Sequence, residues 1–169
     1  MAAGVSALQE KHPCLLVGFR EMKGYSAHQI QACMQADWPS LRSIELNFPG
    51  SFHELYAEQA ARALEEEANR IELARSIQPH LQDAESVGMP AILGIQHHHD
   101  VYCDLEAKLG VPVFEIPTLP PSIPGLRLKT IFEQQLVRKG VDTMFQQHVE
   151  KIVRNDNSGF TATIGDGID

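Results

Sequence analysis

Two segments of the sequence combine residue types that could do chemistry. Residues 97–100 read HHHD, and imidazoles bind zinc, nickel or copper. Residues 117–128 read PTLPPSIPGLRL and place Thr118, Ser122 and Arg127 in or beside a proline-rich loop. Hydroxyls, the free N–H groups of a helix start and a guanidinium suit the binding of a phosphate or carboxylate.

Each segment also has a structural interpretation. Consecutive residues on a helix point in different directions, so His97, His98 and His99 cannot all face one ion, and no HxxxH or HExxH accompanies them. Asp100 is explained more simply as a helix N-cap or first-turn acid. The prolines could merely separate a strand from a helix. A histidine metal site is therefore kept as an alternative, and no metal ligand is assigned.

Nucleotide-binding motifs and an obvious catalytic group are missing from the sequence. The first apolar run is followed by two glycines, Gly18 and Gly24, without the GxGxxG of a dinucleotide fold, and GxxxxGK[ST] does not occur. No nucleophile or base can be identified from spacing, so the catalytic residue is unknown. Cys14 and Cys33 are interpreted as buried small hydrophobic residues.

Composition narrows the class of protein. The chain has 169 residues, 43% of them hydrophobic and 21% charged, which is typical of a folded globular domain. A net charge of −8 argues against binding to nucleic acid, which needs a positive surface. No run of apolar residues is long enough for a transmembrane segment, and no secretory signal is visible. Three widely spaced cysteines indicate a reducing, cytoplasmic setting.

The elements that must position these segments alternate along the chain. Strands are predicted at residues 14–19, 43–48, 90–95 and 111–116, helices at 28–36, 52–81, 99–109 and 126–139, and short strands at 141–145, 149–154 and 160–164. Ser26 is predicted as an N-cap, Pro79 as a helix end, Gly110 as a helix stop and residues 155–159 as a turn. The spacing predicts an inward face on the last helix, formed by Leu128, Ile131, Phe132, Leu136 and Val137. The order predicts an α/β fold, a largely parallel sheet with flanking helices, ending in a short antiparallel β-meander.

The sequence resembles anaerobic glycerol-3-phosphate dehydrogenase, in its subunit designated B. The most specific match is PTLPPSIPGLRL at 117–128, followed by FEQQLVRKG at 132–140. Residues 14–19 (CLLVGF) and 88–91 (GMPA) are similar to that family in order and spacing, and the resemblance runs over residues 11–164.

The resemblance implies a flavoprotein, with FAD or FMN, that oxidises glycerol 3-phosphate to dihydroxyacetone phosphate. Electrons would pass through other subunits of the complex to menaquinone. It implies that the backbone of Val149 contacts the adenosine part of the flavin nucleotide. Residues 1–124 would form a substrate-side, cap-like α/β domain, and residues 125–169 a helix and β-meander on the flavin side. In such an enzyme Thr118 and Ser122 are expected to position glycerol 3-phosphate, and Arg127 to contact its phosphate or a structural anion.

The chain departs from the family where most flavin contacts are expected. The amino-terminal GxGxxG and a later glycine-rich segment are missing, so the chain resembles the central part of a longer protein. We therefore expect the 169-residue chain alone to bind flavin weakly or not at all. The expected location is the cytoplasm, with peripheral attachment to the inner membrane through partner subunits. A non-catalytic docking module, using the acidic helix and the alanine-rich face at residues 60–68, remains the second hypothesis.

Overall fold

A four-stranded, all-parallel sheet of order β2-β1-β3-β4 organises the first part of the chain. The computed structural model describes residues 2–50, 52–155 and 159–165. Its elements are α1 (Ala2–Glu10), β1 (Cys14–Phe19), α2 (Ala27–Met34), β2 (Leu41–Leu46), α3 (Ala57–Ala63), α4 (Glu67–Leu81), β3 (Ser86–Pro90), α5 (His98–Leu109), β4 (Val113–Ile116), α6 (Ile123–Arg138), β5 (His148–Arg154) and β6 (Phe160–Gly165). The predicted α/β class, with its parallel sheet and antiparallel ending, is confirmed.

The chain divides into two compact units, Met1–Thr130 and Ile131–Asp169. The first contains the parallel sheet, and the second contains β5 paired antiparallel with β6. The functional division at residues 124 and 125 stays a prediction.

Both faces of the parallel sheet are covered, because β1 is buried along its whole length. Leu15, Val17 and Phe19 point into the larger core, which α3, α4 and α5 complete. Cys14 and Leu16 point to the opposite side, where α1 and α2 pack. A continuous apolar run is therefore the expected signature of this central strand.

Local signals predict several boundaries correctly. The hydroxyl of Ser26 accepts a hydrogen bond from the backbone N–H of Gln29 at 3.2 Å, as an N-cap does. Gly110 ends α5 with φ of 74°, and its N–H donates to the carbonyl of Glu106 at 2.8 Å. A left-handed residue at this position favours glycine.

The single helix predicted over residues 52–81 is wrong, because the chain forms α3 and α4 with a break between them. Side chains from α4 take over the carbonyls at the end of α3. Asn69 donates to the carbonyl of Ala63 at 2.7 Å, and Arg70 donates to those of Leu64 and Glu65, each at 2.9 Å. Pro79 lies inside α4 rather than at its end. Helix propensity alone could not reveal side-chain capping of this kind.

Two predicted strands are also wrong. The third strand covers Ser86–Pro90, and residues 91–95 form a buried loop beyond it. An apolar run records burial, and this loop is as buried as a strand. Residues 141–145 contain no strand. The helix α1 has no counterpart among the predicted elements, and the predicted turn at 155–159 includes residues 156–158, which lie outside the described residues.

Three predictions of burial need correction. Leu128, Ile131, Phe132 and Val137 of α6 are all exposed, because helical spacing shows which side chains share a face but not whether that face is covered. Cys33 is exposed, whereas Cys14 is buried as expected. The alanines expected on a docking face are partly in the core. Ala60 and Ala61 are fully buried there, because their small side chains allow close packing.

No described helix is long and apolar enough to cross a membrane.

Candidate functional site at the carboxyl edge of the parallel sheet

The strand order defines where a ligand site is expected. β1 lies between β2 and β3, and the chain reverses its direction across the sheet between β1 and β3. Open parallel sheets bind ligands in the crevice beyond the carboxyl ends of the strands at this switch point. Three segments begin at that edge: residues 20–26 after β1, 91–97 after β3 and 117–122 after β4.

The loop at residues 91–97 is held from one side by Glu65. Its Oε1 accepts hydrogen bonds from the backbone N–H groups of Ile95, Gln96 and His97 at 2.8, 2.7 and 3.3 Å. Burial raises the pKa of Glu65, but the three N–H donors and the nearby His97 ring outweigh it, so the pKa is lowered overall. The anion position at the start of α5 is thus filled by a carboxylate of the chain itself.

The same loop is held from the other side by a buried ion pair. The guanidinium of Arg127 donates to both carboxylate oxygens of Glu115, at 2.5 and 2.8 Å, and its Nε–H donates to the carbonyl of Gly94 at 2.7 Å. Glu115 Oε1 also accepts the backbone N–H of Leu93 at 2.7 Å. Arg127 therefore contacts a structural anion, which is one of the two roles expected for it. Its contact with substrate stays a prediction.

His98 lies beside this ion pair. Burial lowers its pKa, and the positive charge of Arg127 lowers it further against the opposing effect of Glu115. The side chain is half-buried. A neutral imidazole is therefore favoured next to the guanidinium.

The proline-rich segment places its two predicted polar residues in different environments. The hydroxyl of Ser122 accepts the N–H of Gly125 at 3.1 Å at the start of α6, so it acts as a helix cap. The hydroxyl oxygen of Thr118 is buried and has no hydrogen-bond partner. A buried hydroxyl without a partner is costly. Of the two, Thr118 is the side chain that a ligand could satisfy.

Tyr25 is a candidate that the sequence did not suggest. Its hydroxyl is also buried without a partner, and burial, followed by the charges of Glu45 and Cys14, raises its pKa. Tyr25 lines a cavity of about 400 Å³ together with Gly24, Ser26 and Pro117, so the loops after β1 and β4 meet there. Its position directly after a buried strand and before an N-cap was the available signal.

The three consecutive histidines do not converge. His97 precedes α5, and the ring of His99 contacts Cys103. Within the described ranges, no group of three or more His, Cys, Asp or Glu side chains could hold a metal ion.

Val149 belongs to the second unit, where β5 pairs with β6 in a two-stranded sheet. It is opposite Ile164, is 49% exposed, and is followed by an irregularity in the pairing before Lys151. A strand of a two-stranded sheet has one edge of backbone N–H and C=O groups that does not pair within that sheet. This edge suits the backbone contact predicted for the adenosine part of a flavin.

Comparison with known proteins gives the class. Residues 6–164 match the family described as FAD binding domain. The chain belongs to this family, whose members are flavin-binding proteins.

Curated relatives make the resemblance more specific. The chain is 34% identical over 140 residues to a Halobacterium salinarum protein that is named as a probable anaerobic glycerol-3-phosphate dehydrogenase, in its subunit designated B. It is 29% identical over 132 residues to the Pectobacterium carotovorum protein that carries the same name without the word probable. Each alignment covers 75% of this chain, and 32% and 31% of the respective relatives. The chain thus spans about a third of the length of these relatives, and the resemblance stated from the sequence is confirmed.

Proposed function

We propose that this chain is part of a flavin-dependent dehydrogenase subunit that oxidises glycerol 3-phosphate to dihydroxyacetone phosphate. The observation that carries the proposal is the FAD binding domain match over residues 6–164, together with relatives that share one dehydrogenase name. Electrons would pass through partner subunits towards menaquinone. The alternative is a docking module without a catalytic role.

FAD is the proposed cofactor, because the family description names it. The unpaired edge of β5 supports Val149 as the residue whose backbone contacts the adenosine part. When bound, FAD supplies an acceptor for the hydride from C2 of the substrate. The expectation that the 169-residue chain alone binds flavin weakly or not at all stays a prediction.

The substrate would lie at the carboxyl edge of the parallel sheet. The buried hydroxyl of Thr118 would gain its missing hydrogen-bond partner from a substrate hydroxyl or phosphate oxygen. Arg127 uses three of the five N–H groups of a guanidinium on Glu115 and Gly94, and the other two would donate to the phosphate. Ser122 would act by fixing the start of α6. The proton of the C2 hydroxyl leaves to a base that we do not assign.

Exposed apolar side chains support the idea of a larger protein. Those on α6 and the second unit are Leu128, Ile131, Phe132, Val137, Val141, Met144, Phe145, Val149, Ile152, Val153, Phe160 and Ile164. Apolar surface of this extent normally marks an interface. We propose that it is covered by the rest of the flavin domain or by partner subunits, in a cytoplasmic complex that reaches the inner membrane through those subunits.

Replacing Thr118 with valine tests its predicted role. Removal of a buried, unpartnered hydroxyl should raise the free energy of unfolding by about 1 kcal/mol. In the dehydrogenase that contains this chain, the same change should raise the KM for glycerol 3-phosphate about three- to tenfold, because a substrate hydrogen bond is lost. Urea unfolding and steady-state kinetics measure the two effects.

Thr130 provides a matched control. Its hydroxyl already donates to the carbonyl of Leu126 at 3.0 Å, so Thr130→Val should not stabilise the chain and should leave KM unchanged. An unchanged KM for Thr118→Val would remove Thr118 from the substrate site.

The docking alternative is tested by co-purification. Partner subunits would be captured with the complete subunit and with a form lacking this region. Loss of capture together with full retention of dehydrogenase activity would favour the docking module. Loss of activity favours the enzymatic proposal.

A further inference from the structure

A thiol and an imidazole meet on the outer side of α5. His99 and Cys103 are one helical turn apart, and the structure leaves both of them accessible to solvent. The Cys103 Sγ lies 3.8 Å from Nε2 and 3.9 Å from Nδ1 of His99. The pair is independent of the carboxyl-edge site and is used by no step proposed above.

The helix that carries the pair is firmly anchored. Val101, Leu105 and Leu109 are buried in the larger core on the opposite side of α5. Asp104, next to Cys103, is paired with Arg70 and with Lys108, each at 2.5 Å. The backbone positions of His99 and Cys103 are therefore fixed, and only their side-chain rotamers can vary.

The separation of the two side chains matches the bite of a tetrahedral metal ion. Zn–S and Zn–N bonds of about 2.3 and 2.05 Å at a tetrahedral angle put the sulfur and nitrogen about 3.6 Å apart. The observed 3.8 Å between Sγ and Nε2 differs from this by a few tenths of an ångström. Small rotations of the two side chains would bring both atoms into a metal's coordination sphere.

We propose that His99 and Cys103 form a two-residue binding site for a divalent transition-metal ion, with Zn²⁺ as the best match. Imidazole and thiolate ligands favour this class of ion over Mg²⁺ or Ca²⁺. Binding replaces the thiol proton, so one S–H bond breaks, one S–metal bond forms and one proton is released.

The neighbouring groups define the rest of the coordination sphere. Glu106, which follows Cys103 by one turn on α5, accepts the backbone N–H of Val113 at 2.8 Å and is held away from the pair. The described part of the chain offers no cluster of three metal-ligating side chains. Water would fill the remaining positions, so the ion is exchangeable and open to an external ligand.

The test is a Co²⁺ and Zn²⁺ titration of the untagged chain, with its thiols kept reduced by a reductant that contains no thiol. Co²⁺ should produce a near-ultraviolet thiolate-to-cobalt charge-transfer band, which Zn²⁺ then displaces. Cys103→Ser should abolish the band, and Cys103→Ser and His99→Ala should each weaken binding at least about tenfold. Cys103→His should retain binding without the thiolate band, because two imidazoles at this spacing can still chelate.

Cys33 is the matched control. It is also exposed, but the residues four positions away are Gln29 and Asp37, so no imidazole lies one turn from it. Cys33→Ser should leave the band and the affinity unchanged. The proposal is overturned if the native chain gives no thiolate band, if Cys103→Ser binds as tightly as the native chain, or if Cys33→Ser removes the band.

Discussion

Replacing Glu65 with alanine is expected to lower the free energy of unfolding by about 2–3 kcal/mol. Hydrogen bonds to a charged acceptor contribute about 1.5–3 kcal/mol each, and water can replace part of that at a partly exposed carboxylate. The change leaves the N–H groups of Ile95, Gln96 and His97 without their acceptor. Urea unfolding followed by fluorescence of Trp38 measures the effect, because this single, buried tryptophan reports on the first unit.

Glu66 provides the control, since it is exposed and adjacent to Glu65. Glu66→Gln removes the same charge and should change stability by no more than about 0.5 kcal/mol. If Glu65→Ala is as mild as Glu66→Gln, the loop at residues 91–97 is not held by this carboxylate.

Acid should weaken the same interaction. Folding lowers the pKa of Glu65 below its ordinary value of 4.5, so the unfolded chain binds this proton more readily. The contribution is fully present above the ordinary pKa and is lost as pH falls through the lowered one. The stability difference between the native chain and Glu65→Gln should therefore shrink from about pH 6 to about pH 3. A constant difference across this range would contradict the assignment.

Replacing Arg127 with alanine is the second change with a large expected effect, a loss of about 2–4 kcal/mol in the free energy of unfolding. The side chains of Arg127 and Glu115 are only 11% and 20% exposed. Truncation leaves the Glu115 carboxylate without its cation, and leaves the Gly94 carbonyl without its donor. Removing one partner of a buried pair is costly because the other charge remains in a site of low polarity. Urea unfolding measures the loss.

An exposed Arg–Glu pair provides the comparison. Arg62 contacts Glu58 at 2.8 Å, with side-chain exposures of 59% and 39%. Arg62→Ala should cost no more than about 1 kcal/mol. Equal effects at the two arginines would contradict the structural role of Arg127.

The predicted substrate role of Arg127 can be separated from its structural role. Both Arg127→Ala and Glu115→Gln disturb the ion pair, but only the first removes donors from the substrate. In the dehydrogenase, Arg127→Ala should raise the KM for glycerol 3-phosphate well beyond the effect of Glu115→Gln. Equal KM values for the two variants would leave Arg127 with a structural role alone.

The elements that could be predicted from the sequence are those whose signals are local. The buried run of β1, the N-cap at Ser26 and the glycine stop at Gly110 depend on residues within one turn or one strand. The strand predicted at residues 91–95 is wrong because burial and strand pairing produce the same apolar pattern. The buried face predicted for α6 is wrong because helical spacing is local, whereas covering the face depends on distant parts of the protein.

The site was predictable only in part for the same reason. The proline-rich segment identified Thr118 and Arg127 by composition and by resemblance. Glu65 and Glu115 were missed, because the backbone N–H groups that they accept lie 22 to 32 positions away along the chain. The spacing of His99 and Cys103, in contrast, is visible in the sequence once a helix is assigned there.

The most direct measurement of the central claim is anaerobic reduction of the flavin in the FAD-loaded dehydrogenase that contains this chain. Glycerol 3-phosphate should bleach the flavin absorbance and yield a stoichiometric amount of dihydroxyacetone phosphate, whereas glycerol should have no effect. Flavin that dithionite bleaches but glycerol 3-phosphate leaves unchanged would contradict the proposed function.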